Sequence, residues 1–283
     1  MKICIPSKGR PETMTTQRYF RPEDVIIFVE PQEIKAYNIF QPSYQIVDIK
    51  KSNQGVSYVR NFIIDYMQED KILMIDDDIF FIGKVLSDGH YEDLDDIYDL
   101  VSDAEKMLDK YWGYVVPFSI FAYFISKNYD CSRDIYQYDK TALVAFFGLN
   151  LKKLKERSIR FDENFIEGED CDIAVQILIQ GGHLCSNYKY SMNHKLRVEG
   201  GMSNSRKFRI CDVEKVYRTT ADSLSKKYGS EFIQTSHDEE GYLTGCRPRL
   251  DLIIKRKDLV LKYFKKYQKS LKAAKLKNND VSF

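Results

Sequence analysis

An apolar run without polar alternation, Ile72-Leu73-Met74-Ile75, leads into three consecutive carboxylates, Asp76-Asp77-Asp78. A strand that is apolar on both faces has to be covered on both faces, as in the middle of a parallel sheet with helices on each side. Ligands of such sheets bind beyond the carboxyl ends of the strands. The aspartates therefore stand where a ligand is expected. If the extended conformation continues past Ile75, side chains alternate, so Asp76 and Asp78 share one face and Asp77 points the other way. Such a D-x-D pair suits Mg²⁺ or Mn²⁺, bound together with a diphosphate that the same carboxylates would otherwise repel. A solvated acidic turn is the competing reading.

The remainder of the chain sets the context of that strand. At 283 residues it can bury a full core, as one α/β domain or as one domain with an appendage. Formal charge is +1 but unevenly spread, acidic from Asp88 to Asp109 and basic from Lys255 to Lys277. Six cysteines without C-x-x-C spacing fit a reduced, intracellular compartment. No export signal is visible at the N-terminus, and the most apolar window, Trp112 to Ile125, contains Pro117 and is too short for a bilayer. A soluble, cytoplasmic protein with no membrane partner is expected.

Strand and helix patterns alternate through the first third. Ile3 to Pro6 reads as a strand that breaks into Ser7-Lys8-Gly9-Arg10, a loop able to receive phosphate or to serve as an ordinary charged turn. Val25 to Glu30 and Gln45 to Ile49 read as the next strands. From Gly55 to Glu69 a helix is predicted with Val56, Val59, Phe62, Ile63, Tyr66 and Met67 as its apolar face. Asn53 precedes it. Arg60 and Asn61 lie just inside, directed either to the same crevice or to solvent.

An amphipathic helix follows over Asp93 to Tyr111, then strands at Tyr114 to Val116 and Ala142 to Leu149, with a polar loop or small hairpin from Asn128 to Lys140 between them. The segment Phe161 to Asp172, FDENFIEGEDCD, gathers carboxylates ahead of a helix running from Ile173 to Gln180. A helix N-terminus favours anions, but capping needs one residue rather than four. Gly168 lets the backbone approach a ligand, and an ionised Asp170 beside Glu169 can accept a proton from a hydroxyl nucleophile. His183 to Tyr190 reads as a strand running into His194, followed by a glycine-rich loop at Gly200-Gly201 flanked by Arg197, Arg206, Lys207 and Arg209. Helices are predicted over Ile210 to Tyr228 and Leu250 to Leu276.

Taken in order, IPSKGR, NQGVSYVRN, MIDDDI, FDENFIEGEDCD and SMNH resemble the segments of a GT-A glycosyltransferase, with order and spacing similar to the β-1,4-galactosyltransferase type. The whole chain resembles the TET-associated glycosyltransferases of bacteriophages, a resemblance that implies decoration of hydroxymethylated pyrimidines in DNA. The resemblance covers about Met1 to Ile210. It implies an α/β, Rossmann-like GT-A fold with a mixed, mostly parallel central sheet flanked by helices. Residues 1–210 would form the core, with a nucleotide-sugar half over about 1–90 and an acceptor half over about 91–210. Residues 211–283 would form a helical, basic extension.

By the same resemblance, Pro6, Ser7, Lys8, Arg10, Asn53, Arg60, Asp76 and Asp77 would bind a UDP-sugar. Asp78 and His194, with Asp76, would hold Mn²⁺ or Mg²⁺. Asp170 would be the catalytic base, with Glu169 beside it. One departure stands out: Phe165-Ile166-Glu167 replaces the Trp-Gly of the galactosyltransferases, so their sugar-acceptor pocket is not preserved. The implied acceptor is 5-hydroxymethylcytosine in DNA within an infected host's cytoplasm. Arg206, Lys207, Arg209, Lys265, Lys266 and Lys269 are the candidate DNA contacts. Alternatives are a glycosyltransferase acting on a glycan, lipid or protein, a metal-dependent nuclease or nucleotidyltransferase, and a non-catalytic DNA-binding protein.

Overall fold

The computed structural model describes residues 1–86, 91–94, 96–118, 136–165, 167–194, 210–239, 241 and 243–279. Arg206, Lys207, Arg209 and the glycine-rich loop after His194 lie outside these. The strands are β1 (Lys2–Pro6), β2 (Val25–Val29), β3 (Gln45–Asp48), β4 (Lys71–Ile75), β5 (Ile79–Val85), β6 (Tyr91–Asp93), β7 (Gly113–Val115), β8 (Tyr136–Tyr138), β9 (Phe146–Asn150), β10 (Leu184–Asn187), β11 (Tyr190–His194), β12 (Ile233–His237) and β13 (Leu243–Pro248). The helices are α1 (Ile34–Phe40), α2 (Val56–Tyr66), α3 (Ile97–Lys110), α4 (Leu151–Glu156), α5 (Glu169–Ile179), α6 (Ile210–Tyr228), α7 (Leu250–Lys255) and α8 (Lys257–Asn279).

Among the described residues an eight-stranded sheet runs β3-β2-β1-β4-β9-β7-β10-β8. The β3-β2-β1-β4 half is parallel, as is β7 with β10, while β9 runs antiparallel to both β4 and β7, and β8 to β10. Strand β4 is central, and both of its faces are covered. Ile72 and Met74 enter one core with Phe28, Ile63, Phe147 and Ile173, whereas Leu73 and Ile75 enter another with Ile5, Tyr37, Leu100 and Leu108. That is the physical reason for its unbroken apolar run.

At Ile75 the chain leaves this sheet. The Asp76 N–H still bonds the Ala145 carbonyl at 2.7 Å, then a turn feeds β5 of a second sheet, ordered β11-β5-β6. The expected strand from His183 to Tyr190 is in fact two: β10 ends at Asn187, the chain turns, and β11 begins at Tyr190 in the second sheet. Strand β11 pairs antiparallel with β5, His194 opposite Ile79, so the end of β11 returns to the turn that carries the aspartates. Strand β9 starts at Phe146, later than the apolar pattern from Ala142 indicates.

Helix α2 follows its expected apolar face in part: Ile63 and Met67 are buried, Val56, Val59 and Phe62 half-buried. Ser57, Arg60, Asn61 and Ile64 are buried as well and Tyr66 is 41% exposed, because the helix also turns polar residues inward, where ion pairs receive Arg60 and hydrogen bonds receive Asn61. Asn61 holds the Phe161 backbone, donating to its carbonyl at 2.9 Å and accepting from its N–H at 3.0 Å.

The C-terminal segment is mostly helical and also contains the β12–β13 hairpin, which apolar periodicity did not single out. The predicted helix from Leu250 breaks at Arg256 into α7 and α8. Leu224, Tyr228, Phe232, Ile253, Val260 and Phe264 join the same core as β4 and α5. Lys227, 2% exposed, is paired with Asp162 at 2.8 Å and Asp172 at 2.7 Å, and Tyr228 donates to Asp172 at 2.6 Å. A buried cation is tolerable only with such partners, and removing one partner of a buried pair costs about 3–5 kcal/mol. No described helix is long and apolar enough to cross a membrane.

Candidate active site

The loops after β1, β2 and β4 lie side by side because those strands are parallel neighbours whose carboxyl ends share one edge. The Ser7 N–H bonds the Phe28 carbonyl at 3.0 Å, tying the β1 loop to β2. Lys8 donates to Glu30 and to Asn53, both at 2.8 Å, and Glu30 also accepts from the Asn53 N–H. Burial opposes charge on Glu30, but the bonds from Lys8, Asn53 and Gln32 outweigh it and hold its pKa below the ordinary value. Asn53 itself has φ +56° and Gly55 φ +85°, which folds the NQG loop into the start of α2.

Arg10 reaches the aspartates rather than open space. Its guanidinium pairs with Asp77 at 2.5 Å and Asp78 at 3.1 Å, and Asp77 also accepts from the Ser7 hydroxyl. Burial pushes the Asp77 carboxyl up to about 6, with Arg10 and Ser7 opposing. The expected alternation, Asp76 and Asp78 on one face and Asp77 on the other, does not hold: the strand ends at Ile75, and in the turn that follows Asp77 and Asp78 share Arg10. Asp76 turns to Arg60, Nη2 to Oδ1 at 3.3 Å, and its carboxylate is 35% exposed because it faces the cavity. Burial raises its pKa, and Arg60 counteracts.

Asp78 is held differently. Its Oδ2 takes the Arg10 bond, while Oδ1 is buried with no hydrogen-bond partner among the described residues and lies 3.7 Å from Nδ1 of His194. The His194 ring is backed by Phe118, centroids 4.9 Å apart. A bare carboxylate oxygen beside an imidazole nitrogen is a donor pair that fits a divalent cation. Among the described residues no group of three or more His, Cys, Asp or Glu side chains gathers in this way, and Asp76 is occupied by Arg60.

The second carboxylate group opens α5. Glu169, Asp170 and Asp172 occupy its first turn, where the free N–H groups favour negative charge. Arg60 donates to Glu169 at 2.7 Å, and so bridges this turn to Asp76 across the floor of the site. Its guanidinium is buried, 5.3 Å from the Phe147 ring centroid and 5.5 Å from that of Phe161. The Asp170 carboxyl is pushed up to about 7, first by burial and then by the neighbouring Glu169 charge, with Arg60 opposing. It is thereby poised to exchange a proton near neutrality. Asp172 takes no part, being bound to Lys227 and Tyr228.

Gly168 lines the cavity, as the expected ligand approach requires, and it has a second role. It has φ +83°, and a Cβ there would lie 2.5 Å from the Thr220 methyl carbon of α6. The glycine admits a neighbouring helix, and the Thr220 hydroxyl donates to the Glu167 carbonyl at 3.2 Å.

One cavity of about 680 Å³ is lined by Pro6, Ser7, Lys8, Arg10, Asn53, Arg60, Asp76, Asp77, Asp78, His194, Glu169 and Asp170, which is every candidate donor, metal and base residue. Its size suits a nucleotide-sized ligand. Glu30, Phe118, Tyr217, Thr220 and Cys246 also line it and were not anticipated. Glu30 carried a readable signal, since it is the polar residue closing the apolar run of β2 just as Asp76 closes that of β4. The others reach the cavity only through tertiary packing. Lys265, Lys266 and Lys269 lie exposed on α8 and do not line it.

Among solved structures, S. aureus TarS 1-349 in complex with UDP-GlcNAc matches with a TM-score of 0.51 at 12% identity, covering 93% of this chain and 71% of that one. Glucosyl-3-phosphoglycerate synthase from Mycobacterium tuberculosis in complex with Mn²⁺, UDP and glucosyl-3-phosphoglycerate matches with a TM-score of 0.51 at 10% identity, covering 89% and 91%. At such identities the likeness is one of fold, the GT-A glycosyltransferase fold. No curated protein matches the chain in sequence. The family model for TET-associated glycosyltransferases matches residues 1–202, which take in all of the cavity's aspartates and His194. The chain belongs to the TET-associated glycosyltransferase family.

Proposed function

We propose that the protein transfers a sugar from a UDP-sugar to the hydroxyl of 5-hydroxymethylcytosine in DNA. The observation that carries this reading is that one cavity holds both groups, with Arg60 linking the Asp76–Asp78 turn to the Glu169–Asp170 turn. A donor diphosphate would lie against the first group and the acceptor hydroxyl against the second. Asp78 and His194 would hold Mn²⁺ or Mg²⁺, which when bound offsets negative charge on the departing diphosphate. Lys8, the cation of the β1 loop that is not committed to the aspartates, would supply positive charge nearby.

In the reaction, ionised Asp170 takes the proton of the acceptor hydroxyl as its oxygen forms a bond to the anomeric carbon. The bond from that carbon to the diphosphate breaks, and UDP leaves with the electron pair. Direct displacement of this kind inverts the anomeric centre. The acceptor is the one implied by the resemblance to the phage enzymes, and the setting is the cytoplasm of an infected host cell. Membership of a glycosyltransferase family and Arg60 between the carboxylate groups both argue against a two-metal nuclease, which needs those carboxylates for cations. Release of UDP from UDP-sugars, measured with Mn²⁺ and hydroxymethylated DNA, tests the proposal. Release that rises with added hydroxymethylated DNA supports it; release indifferent to that DNA but stimulated by a glycan or protein acceptor overturns the acceptor assignment.

A further inference from the structure

Helix α6 begins beyond the residues matched by the family model, yet it forms part of the cavity wall. Tyr217, Thr220, Leu224 and Lys227 follow at steps of three and four residues, the spacing that keeps side chains on one helix face. Three of them are fixed against the core. The Thr220 methyl covers Gly168, Leu224 is fully buried, and Lys227 joins Asp162 to Asp172. These contacts set both the rotation and the height of α6 against α5. Tyr217, one turn before Thr220, continues the same face to where the core opens, and it lines the cavity half-buried, on the wall that also carries Gly168 and Asp170.

This position has a chemical character of its own. Thr220 bonds to Glu167, two residues before Glu169, so the Tyr217 turn of α6 adjoins the turn that carries Glu169 and Asp170. Among the described residues that line the cavity, Glu167 and Asp170 bring carboxylates to this stretch and Arg60 is already paired with Glu169 and Asp76, a setting that tolerates a neutral ring. An aromatic face there suits the face of an unstacked nucleobase, since every base presents one and stacking requires no particular edge. A base whose substituent is to react must leave the duplex stack or be single-stranded before it can enter such a pocket.

We propose that Tyr217 is the acceptor platform: the hydroxymethylated base stacks on its ring, which turns the hydroxyl toward Asp170. This rests on the DNA-acceptor reading above. It makes the C-terminal segment part of the acceptor site.

The test compares wild type, Tyr217→Ala and Tyr217→Phe on a single-stranded oligonucleotide carrying 5-hydroxymethylcytosine, with UDP affinity followed by calorimetry and folding by thermal melting. Tyr217→Ala is expected to raise the acceptor KM by about tenfold or more, and Tyr217→Phe to stay within about twofold of wild type, because the ring is what stacks. UDP affinity stays the same in all three. An unchanged acceptor KM in Tyr217→Ala, on DNA that wild type modifies, overturns the platform and leaves the acceptor reading standing. Equal losses in both variants overturn stacking in favour of the phenol hydroxyl. Wild type that glycosylates a glycan or protein and never this DNA overturns both proposals.

Discussion

Nδ1 of His194 lies 3.7 Å from Oδ1 of Asp78, although the two residues belong to distant parts of the chain. The antiparallel pairing of β11 with β5 creates the contact, since it sets His194 opposite Ile79, the residue after Asp78. If the pair holds the cation, Asp78→Ala and His194→Ala each lose Mn²⁺-dependent UDP binding. The loss should be at least about 10- to 100-fold, the penalty seen for removing even outer partners of metal ligands. Calorimetry with and without Mn²⁺ checks this, and full affinity in both folded variants would remove the metal assignment.

Asp170→Asn keeps the shape of the side chain but cannot take a proton. Turnover should fall by about 10² to 10⁴-fold with UDP affinity nearly unchanged. Near-normal turnover would pass the role to Glu169, the other cavity carboxylate of that turn.

The pH profile follows from the raised pKa of Asp170, pushed up to about 7. A base works only when ionised, so kcat/KM should fall as pH drops through about 7. Glu169→Gln removes the like charge beside it and should move that midpoint lower. The same shift has a stability consequence. Because the folded pKa is above the ordinary 3.8, this group's contribution to stability is present below that value and lost as pH rises through about 7. Thermal melting of wild type against Asp170→Asn across that range reads it out. A midpoint unmoved by Glu169→Gln would mean that Asp170 is not the titrating base.

Gly168→Ala combines a strained φ with a clash against the Thr220 methyl. Backbone strain alone costs about 1–3 kcal/mol. In a Thr220→Ser background the methyl is gone while the hydroxyl remains, so the cost of Gly168→Ala should shrink toward the strain component. A double-mutant cycle by denaturant unfolding measures the coupling. Purely additive effects would show that α6 does not press on this turn.

Changing Lys265, Lys266 and Lys269 together to Gln tests whether α8 tracks DNA. Each lost phosphate contact should flatten the salt dependence of binding by about 0.9 in log–log slope. These lysines are exposed while Val260 and Phe264 are buried, the arrangement expected of a helix that presents its basic face outward. An unchanged slope would exclude this face from DNA contact.

Much of this architecture was legible from residues alone because its signals are local. The β4 run and its aspartates, the helix after NQG and the carboxylates at the start of α5 all announce themselves by pattern. What the pattern could not reveal was long-range. Arg60 sits on a helix whose expected apolar face omits it, and only the two carboxylates it bridges explain its burial. The division of His183 to His194 between two sheets is marked by nothing stronger than Asn187-Tyr188-Lys189. Gly168 lines the cavity as expected, but the helix that packs on it through Thr220 comes from a segment with no motif of its own.

The mass of the acceptor reads the sugar transfer itself directly. Oligonucleotides carrying 5-hydroxymethylcytosine, incubated with the protein, Mn²⁺ and a panel of UDP-sugars, should gain the mass of one glycosyl residue per hydroxymethyl group with at least one donor. Unmodified cytosine should gain none, and Asp170→Asn should abolish the gain. Unchanged DNA mass with every donor, under conditions where the same preparation releases UDP onto another acceptor, would contradict it.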